Sequence, residues 1–154
     1  MAEFAEIKTS DNIVLRVVVI NDSDIAGKTV SEAETWVADN IINDINIADP
    51  YPSTYWKQTY LDANGESAKR YNGAGVDIFY DLSNEAFYWP TNGYASWSLD
   101  SNYQWQAPVA VPPEGTLTAD EVLIWNEPDL RWEKRETGDL NSVYYWNSSA
   151  WVAI

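Results

Sequence analysis

Apolar and polar positions alternate along the first twenty residues. Residues 4–8 and 13–20, the second with the β-branched run LRVVVI, read as two strands joined by the polar turn Thr9-Ser10-Asp11-Asn12, an N-terminal hairpin. After a polar turn at 21–27, Ser31-Glu32-Ala33-Glu34 spells a capping box that predicts the start of a helix. Trp36, Val37, Ile41 and Ile45 follow at roughly helical spacing and give that helix one apolar face for a sheet. Asp49-Pro50-Tyr51-Pro52 is expected to end it. From residue 54 the pattern changes to short extended pieces, 55–61 and 76–80, with a turn at 62–65 and the flexible Asn72-Gly73-Ala74-Gly75 between them.

Four similar units then follow: IFYDLSNEAFYWP, WSLDSNYQWQAP, LIWNEPDLRWEK and YYWNSSAWVAI. Each sets Asp or Asn after an apolar or aromatic residue and returns to an aromatic a few positions later. Asp81, Asp100, Asn126 and Asn147 are thus placed at turn entries, and Phe87, Trp105, Trp132 and Trp151 on returning strands. Asx side chains close tight turns by accepting from backbone N–H groups two residues on, which explains both the residue type and its position. Aromatics facing one another across each hairpin then add about 0.5 to 1.5 kcal/mol beyond area burial. The predicted fold class is mainly β (α+β), antiparallel hairpins in series with one amphipathic helix in the N-terminal half. The stretch Ala107-Pro108-Val109-Ala110-Val111-Pro112-Pro113-Glu114-Gly115 must be extended and suits no central strand. It suggests an N-terminal α+β body over 1–107 and C-terminal aromatic hairpins over 108–154, either as two lobes or as one continuous domain.

Composition narrows the chemistry. The net charge of −15, with nine basic residues spread singly apart from Lys69-Arg70 and Lys134-Arg135, leaves no basic stripe for a phosphate backbone, so no nucleic-acid partner is expected. The acidity favours basic or cation-lined partners. Cysteine and histidine are both absent, which removes disulfides, thiolate or histidine metal sites and histidine-dependent triads. No run of 18 apolar residues and no leader-like start occurs, so neither a membrane span nor secretion is expected, and the sequons at Asn21 and Asn147 read as chance matches. The turn at 21–27 has alternating oxygen donors and a glycine but lacks the third acidic position and the closing bidentate Glu of a calcium loop; it reads as a strand-to-helix turn. Gly73-Ala74-Gly75 lacks the flanks of a phosphate cradle. Most of the 24 acidic residues fall in turns or on solvent faces, so no catalytic residue, cofactor or metal site is assigned.

The strand-like WKQT at 56–59, the KRYNGAG segment at 69–75, the Tyr-Asp hairpin at 80–87, SWSL at 96–99 and WQAPVAVP at 105–112 occur in an order that resembles a group of small proteins of marine tailed phages, notably those of cyanobacteria, over about residues 55–132. The insert Trp89-Pro90-Thr91-Asn92-Gly93-Tyr94 and the last hairpin to Trp151 depart from that pattern. The resemblance implies a phage-encoded, virion-associated protein, made in the host cytoplasm, and brings no catalytic residues with it.

Nine tryptophans and ten tyrosines exceed what one small core needs. Trp36, Trp56 and Tyr60 are most simply core, while Tyr88, Trp89, Tyr94, Trp125, Trp132, Tyr144, Tyr145, Trp146 and Trp151 are the candidate interface or glycan-contact residues. Two functional readings follow. The first is a non-enzymatic virion accessory, a capsid decoration or knob that docks on other virion proteins or on copies of itself through aromatic-rich hairpins. The second is a tail or fibre-tip protein whose aromatics stack on host surface polysaccharide.

Overall fold

The computed structural model describes residues 1–44, 46–59, 70, 72–139, 141 and 144–154. It is mainly β, with one helix and antiparallel hairpins gathered into open sheets. The chain forms two compact units, Met1–Pro90 and Thr91–Ile154. The division falls after Pro90, not at the 107/108 position suggested by the proline-rich stretch. That stretch lies within the second unit, where Ala107 and Val109 pack against tryptophans.

In the first unit, β1 (Ala2–Lys8), β2 (Val14–Ile20) and β3 (Thr54–Thr59) form an antiparallel sheet in the order β2-β1-β3. The turn at 9–12 joins the first two strands as predicted, with Asn12 in the left-handed region at φ 59°. β1 is central, with both edges paired, and both of its faces are covered as well. Ala2 and Phe4 meet Ala33 and Val37 of α1 (Val30–Asn40), while Ala5 and Ile7 meet Ile78, Tyr80 and Phe87. These last come from the segment leading into β4 (Phe79–Asp81) and from β5 (Ala86–Tyr88), which form a hairpin of their own. Residues 77–80 are stitched to the start of β2 by Val14 N–H to Ile78 O at 2.8 Å and Tyr80 N–H to Asn12 O at 2.9 Å. Phe4, Ile7, Val14, Val37 and Phe87 are fully buried, each contributing about 1.5 to 3 kcal/mol of hydrophobic stabilisation. Trp56 is core as expected, and Trp36 packs at its margin.

The helix departs from its sequence prediction at both ends. Its N-cap is Thr29, whose hydroxyl accepts from Glu32 N–H while the Glu32 carboxylate accepts from Thr29 N–H at 2.8 Å. Ser31 and Glu34 do not form the box, because Glu34 points to the sheet and is engaged there. The helix stops at Asn40, where Ile41 turns extended, well before Asp49-Pro50. Ile41 still packs on the core from outside the helix. Ile45, Tyr60, Leu61 and the predicted turn at 62–65 lie outside the described residues. The loop at 21–27 is a turn between β2 and α1.

The second unit holds a small hairpin, β6 (Ser98–Leu99) with β7 (Trp105–Gln106), and a four-stranded meander in the order β11-β10-β9-β8. The meander strands are β8 (Glu121–Asn126), β9 (Arg131–Glu136), β10 (Tyr144–Trp146) and β11 (Trp151–Ala153). All four predicted hairpins are present, pairing Tyr80 with Phe87, Leu99 with Trp105, Trp125 with Trp132 and Trp146 with Trp151.

Candidate functional site

The hairpin turns are built from the residues that announced them. The Asp81 carboxylate accepts from the backbone of Ser83 and Asn84, and Asp100 from Asn102 and Gln104. The Asn126 side-chain oxygen accepts from Asp129 N–H at 3.0 Å, and that of Asn147 from Ser149 and Ala150 N–H at 3.0 and 2.8 Å. The first and third turns share one spacing, aromatic-Asx-x-x-Asx-x-x-aromatic. Each bends through a left-handed residue just before the returning strand, Glu85 at φ 52° and Leu130 at φ 50°. Asp129 is also held by the Asn126 amide, as Asp81 is by the Asn84 amide.

The Asn126 and Asn147 turns bring their aromatics into a layer within 91–154. Trp97 meets Trp125 at 6.0 Å and Trp132 at 5.7 Å edge-on, Trp125 meets Trp132 at 5.2 Å, and Tyr94 stacks on Trp97. Trp146 joins the same buried cluster and meets Trp151 edge-on at 5.3 Å. Edge-to-face contact sets the positive rim of one ring against the negative face of the next. Three of the polar handles are satisfied inside: the indole N–H of Trp132 donates to Val109 O, that of Trp151 to Thr116 O, and that of Trp125 to the Glu127 carboxylate at 2.7 Å, while the buried indole N–H of Trp97 has no partner among the described residues. Glu127 further accepts from Ser96 N–H and Oγ, tying the 95–96 loop to the β8–β9 turn. The Trp125 indole bond, with those from Ser96, holds the Glu127 carboxyl below its ordinary range.

The nine candidate contact residues therefore separate. Trp125, Trp132 and Trp146 are buried, and Tyr94 and Trp151 are packed against them, so five of the nine are framework rather than surface. The Tyr145 ring carries the Arg131 guanidinium at 4.7 Å, and the Tyr144 ring the Lys134 ammonium at 5.1 Å. Tyr88 meets Phe79 edge-on. Trp89, at 56 %, is the most exposed aromatic among the described residues, followed by Tyr144 at 39 %.

No family model, no curated protein and no solved structure matches this chain.

Two buried carboxylates, Glu6, which no sequence motif marked, and Glu34, which the sequence placed in a capping box, organise the first unit. Glu6, 1 % exposed, accepts from Arg16 Nε at 2.6 Å, Tyr51 OH at 2.7 Å and Thr54 Oγ1 at 2.7 Å. The Arg16 guanidinium also lies over the Trp56 ring. Glu34 accepts from Lys57 Nζ, Arg70 Nη2 and the backbone N–H of Gln58, while Arg70 Nη1 donates to Gln58 O. A carboxylate and a guanidinium thus supply what a neighbouring strand would offer the outer edge of β3. The cleft beside them, about 610 Å³, is lined by Glu34, Lys57, Arg70 and Glu85, two cations and two carboxylates whose charges cancel. The signal for both acids was their register: Glu6 falls on the same strand face as Ala2 and Phe4, and Glu34 shares the helix face of Ala33 and Val37. In the same unit, burial pushes the Tyr55 and Tyr80 hydroxyls up to about 12. Among the described residues, no group of three acidic side chains is spaced to hold a metal ion, and no helix is long and apolar enough to cross a membrane.

Proposed function

We propose that the protein is a non-enzymatic structural accessory of a phage virion, a capsid decoration or knob protein that works by contact with other virion proteins. The observation that carries this reading is the internal use of the hairpin aromatics. Ring packing and indole hydrogen bonds make the hairpins a rigid framework, and a rigid surface loses little entropy on docking. The phage-like order of motifs over about 55–132 and the charge of −15 support it further. In this reading the contact residues are Tyr88 and Trp89 in the first unit and Tyr144 and Tyr145 in the second, rather than Trp125, Trp132 and Trp146.

Copy number tests it: hundreds of copies per purified particle support decoration, while about a dozen place the protein on the tail. The exposed ring of Trp89 favours the second reading, a tail or fibre-tip protein that stacks on host polysaccharide. Specific glycan binding lost in Trp89→Ala would decide for that reading. Release of reducing sugar from host envelope by the pure protein would overturn the non-enzymatic reading altogether.

A further inference from the structure

Strand edges are managed unequally in this molecule. The outer edge of β3 is closed by Glu34 and Arg70, β2 is stitched at Val14 to residues 77–78, and β11 has only three residues. Beyond Val14, β2 carries Arg16 within its run, held by Glu6 and Ile42 O, whereas β8 is an outermost strand of six residues, EVLIWN, whose stretch 122–125 is uninterruptedly apolar and which has no proline, glycine or lysine. Among the described residues nothing outside the meander bonds to the backbone of its residues 122–126. An edge of that length and composition is a template for another strand unless something blunts it.

We infer that the outer edge of β8 binds an extended peptide segment of a partner protein, apolar at its centre and basic at both ends, as a fifth strand. Backbone hydrogen bonding supplies the affinity and side chains at alternate positions the selectivity. Leu123 and Trp125 lie on the tryptophan face, so Val122, 36 % exposed, and Ile124 take the opposite face, and both faces offer apolar surface to an added strand. The charge requirement comes from the flanks. Asp120 and Glu121 precede the apolar stretch, and Glu127 and Asp129 follow it. Residues 91–154 hold nine Asp and Glu against only Arg131, Lys134 and Arg135. Arg131 and Lys134 are paired with Asp129 and Glu133 and with Glu121, so among the described residues the flanking carboxylates with no cation on them are Asp120 before the stretch and Glu127 after it. The same flanks argue against a second copy as occupant. Two β8 strands paired antiparallel would bring the acidic start of each against the acidic end of the other.

The full chain is mixed with a synthetic peptide of alternating valine and threonine carrying two lysines at each end, and separately with the same peptide carrying glutamates there. Hydrogen exchange should slow at the β8 amides with the lysine peptide, which should bind about tenfold or more tightly than the glutamate peptide and lose affinity at high salt. Val122→Lys should abolish the protection without altering tryptophan fluorescence. Asp120→Asn with Asp129→Asn keeps hydrogen-bonding capacity at both flanks and should reduce the lysine preference. Equal binding of the two peptides, protection elsewhere than β8, or no binding would overturn the inference. So would β8 amides already slow in the chain alone together with a dimer mass, which would make the occupant a second copy. These readouts need no virion, so their failure is distinct from a failure of the decoration reading.

Discussion

Leu130 holds a conformation that side chains rarely adopt, φ 50°, at a position 47 % exposed. The turn imposes it, because Asn126 and Asp129 fix the residues before it and Trp132 must return opposite Trp125. Asn tolerates this region, while a β-branched residue resists it. Leu130→Asn should therefore be neutral or raise stability by up to about 1 kcal/mol, and Leu130→Val should lower it by about 1 kcal/mol or more. Urea denaturation of both variants checks the pair. Glu127 sets a second expectation at this scale. Its carboxyl lies below the ordinary value of 4.5 in the folded chain because the Trp125 indole and Ser96 bond its ionised form. A depressed folded value adds stability above the unfolded value and loses it as pH falls through the folded one. An acid titration followed by tryptophan fluorescence should show Glu127→Gln less stable than the parent at neutral pH, with the difference shrinking below the glutamate range.

Among the elements, β3 shows how one helix residue can finish a sheet. Glu34 sits in the apolar stripe of α1, reaches the edge of β3 and is itself held by Lys57 and Arg70. Removing one partner of a buried ion pair leaves the other charge uncompensated. With side chains about a tenth exposed, Glu34→Gln should cost about 2 to 3 kcal/mol and speed amide exchange at Gln58. Unchanged exchange at Gln58 would mean that the edge is closed without Glu34. The four hairpins make the converse point. Their strands are two to six residues long, too short to persist alone; β4 and β5 pack on the first unit's sheet, and an aromatic layer supports those in 91–154.

At the scale of the whole molecule, the charge of −15 outweighs any single ion pair. Self-repulsion of that size weakens the compact state and is screened by salt. The melting temperature should rise on going from low to physiological ionic strength, a change that differential scanning calorimetry would detect; a fall would show that the ion pairs around Glu6 and Glu34 together outweigh the net repulsion. The same charge disfavours acidic surfaces and favours basic ones, in line with the basic peptide proposed for the β8 edge.

The positions of the hairpins were legible in the sequence because their causes are local: an Asx side chain reaches only a few residues along the chain, and strand alternation is equally short-ranged. Asp81, Asp100, Asn126 and Asn147 all sit where their residue types required. The helix ends were less legible, since Thr29 and Ser31 are both competent caps, and only the sheet, by claiming Glu34, decided between them. Which aromatics are surface was legible only in part: Trp56 is core as its position suggested, but Trp125, Trp132 and Trp146 are buried too. Trp125 and Trp89 have the same side chain, and one is buried because a loop distant in sequence lays Trp97 across it. Local chemistry determined where this chain turns; long-range packing decided which of its rings and carboxylates remain for a partner.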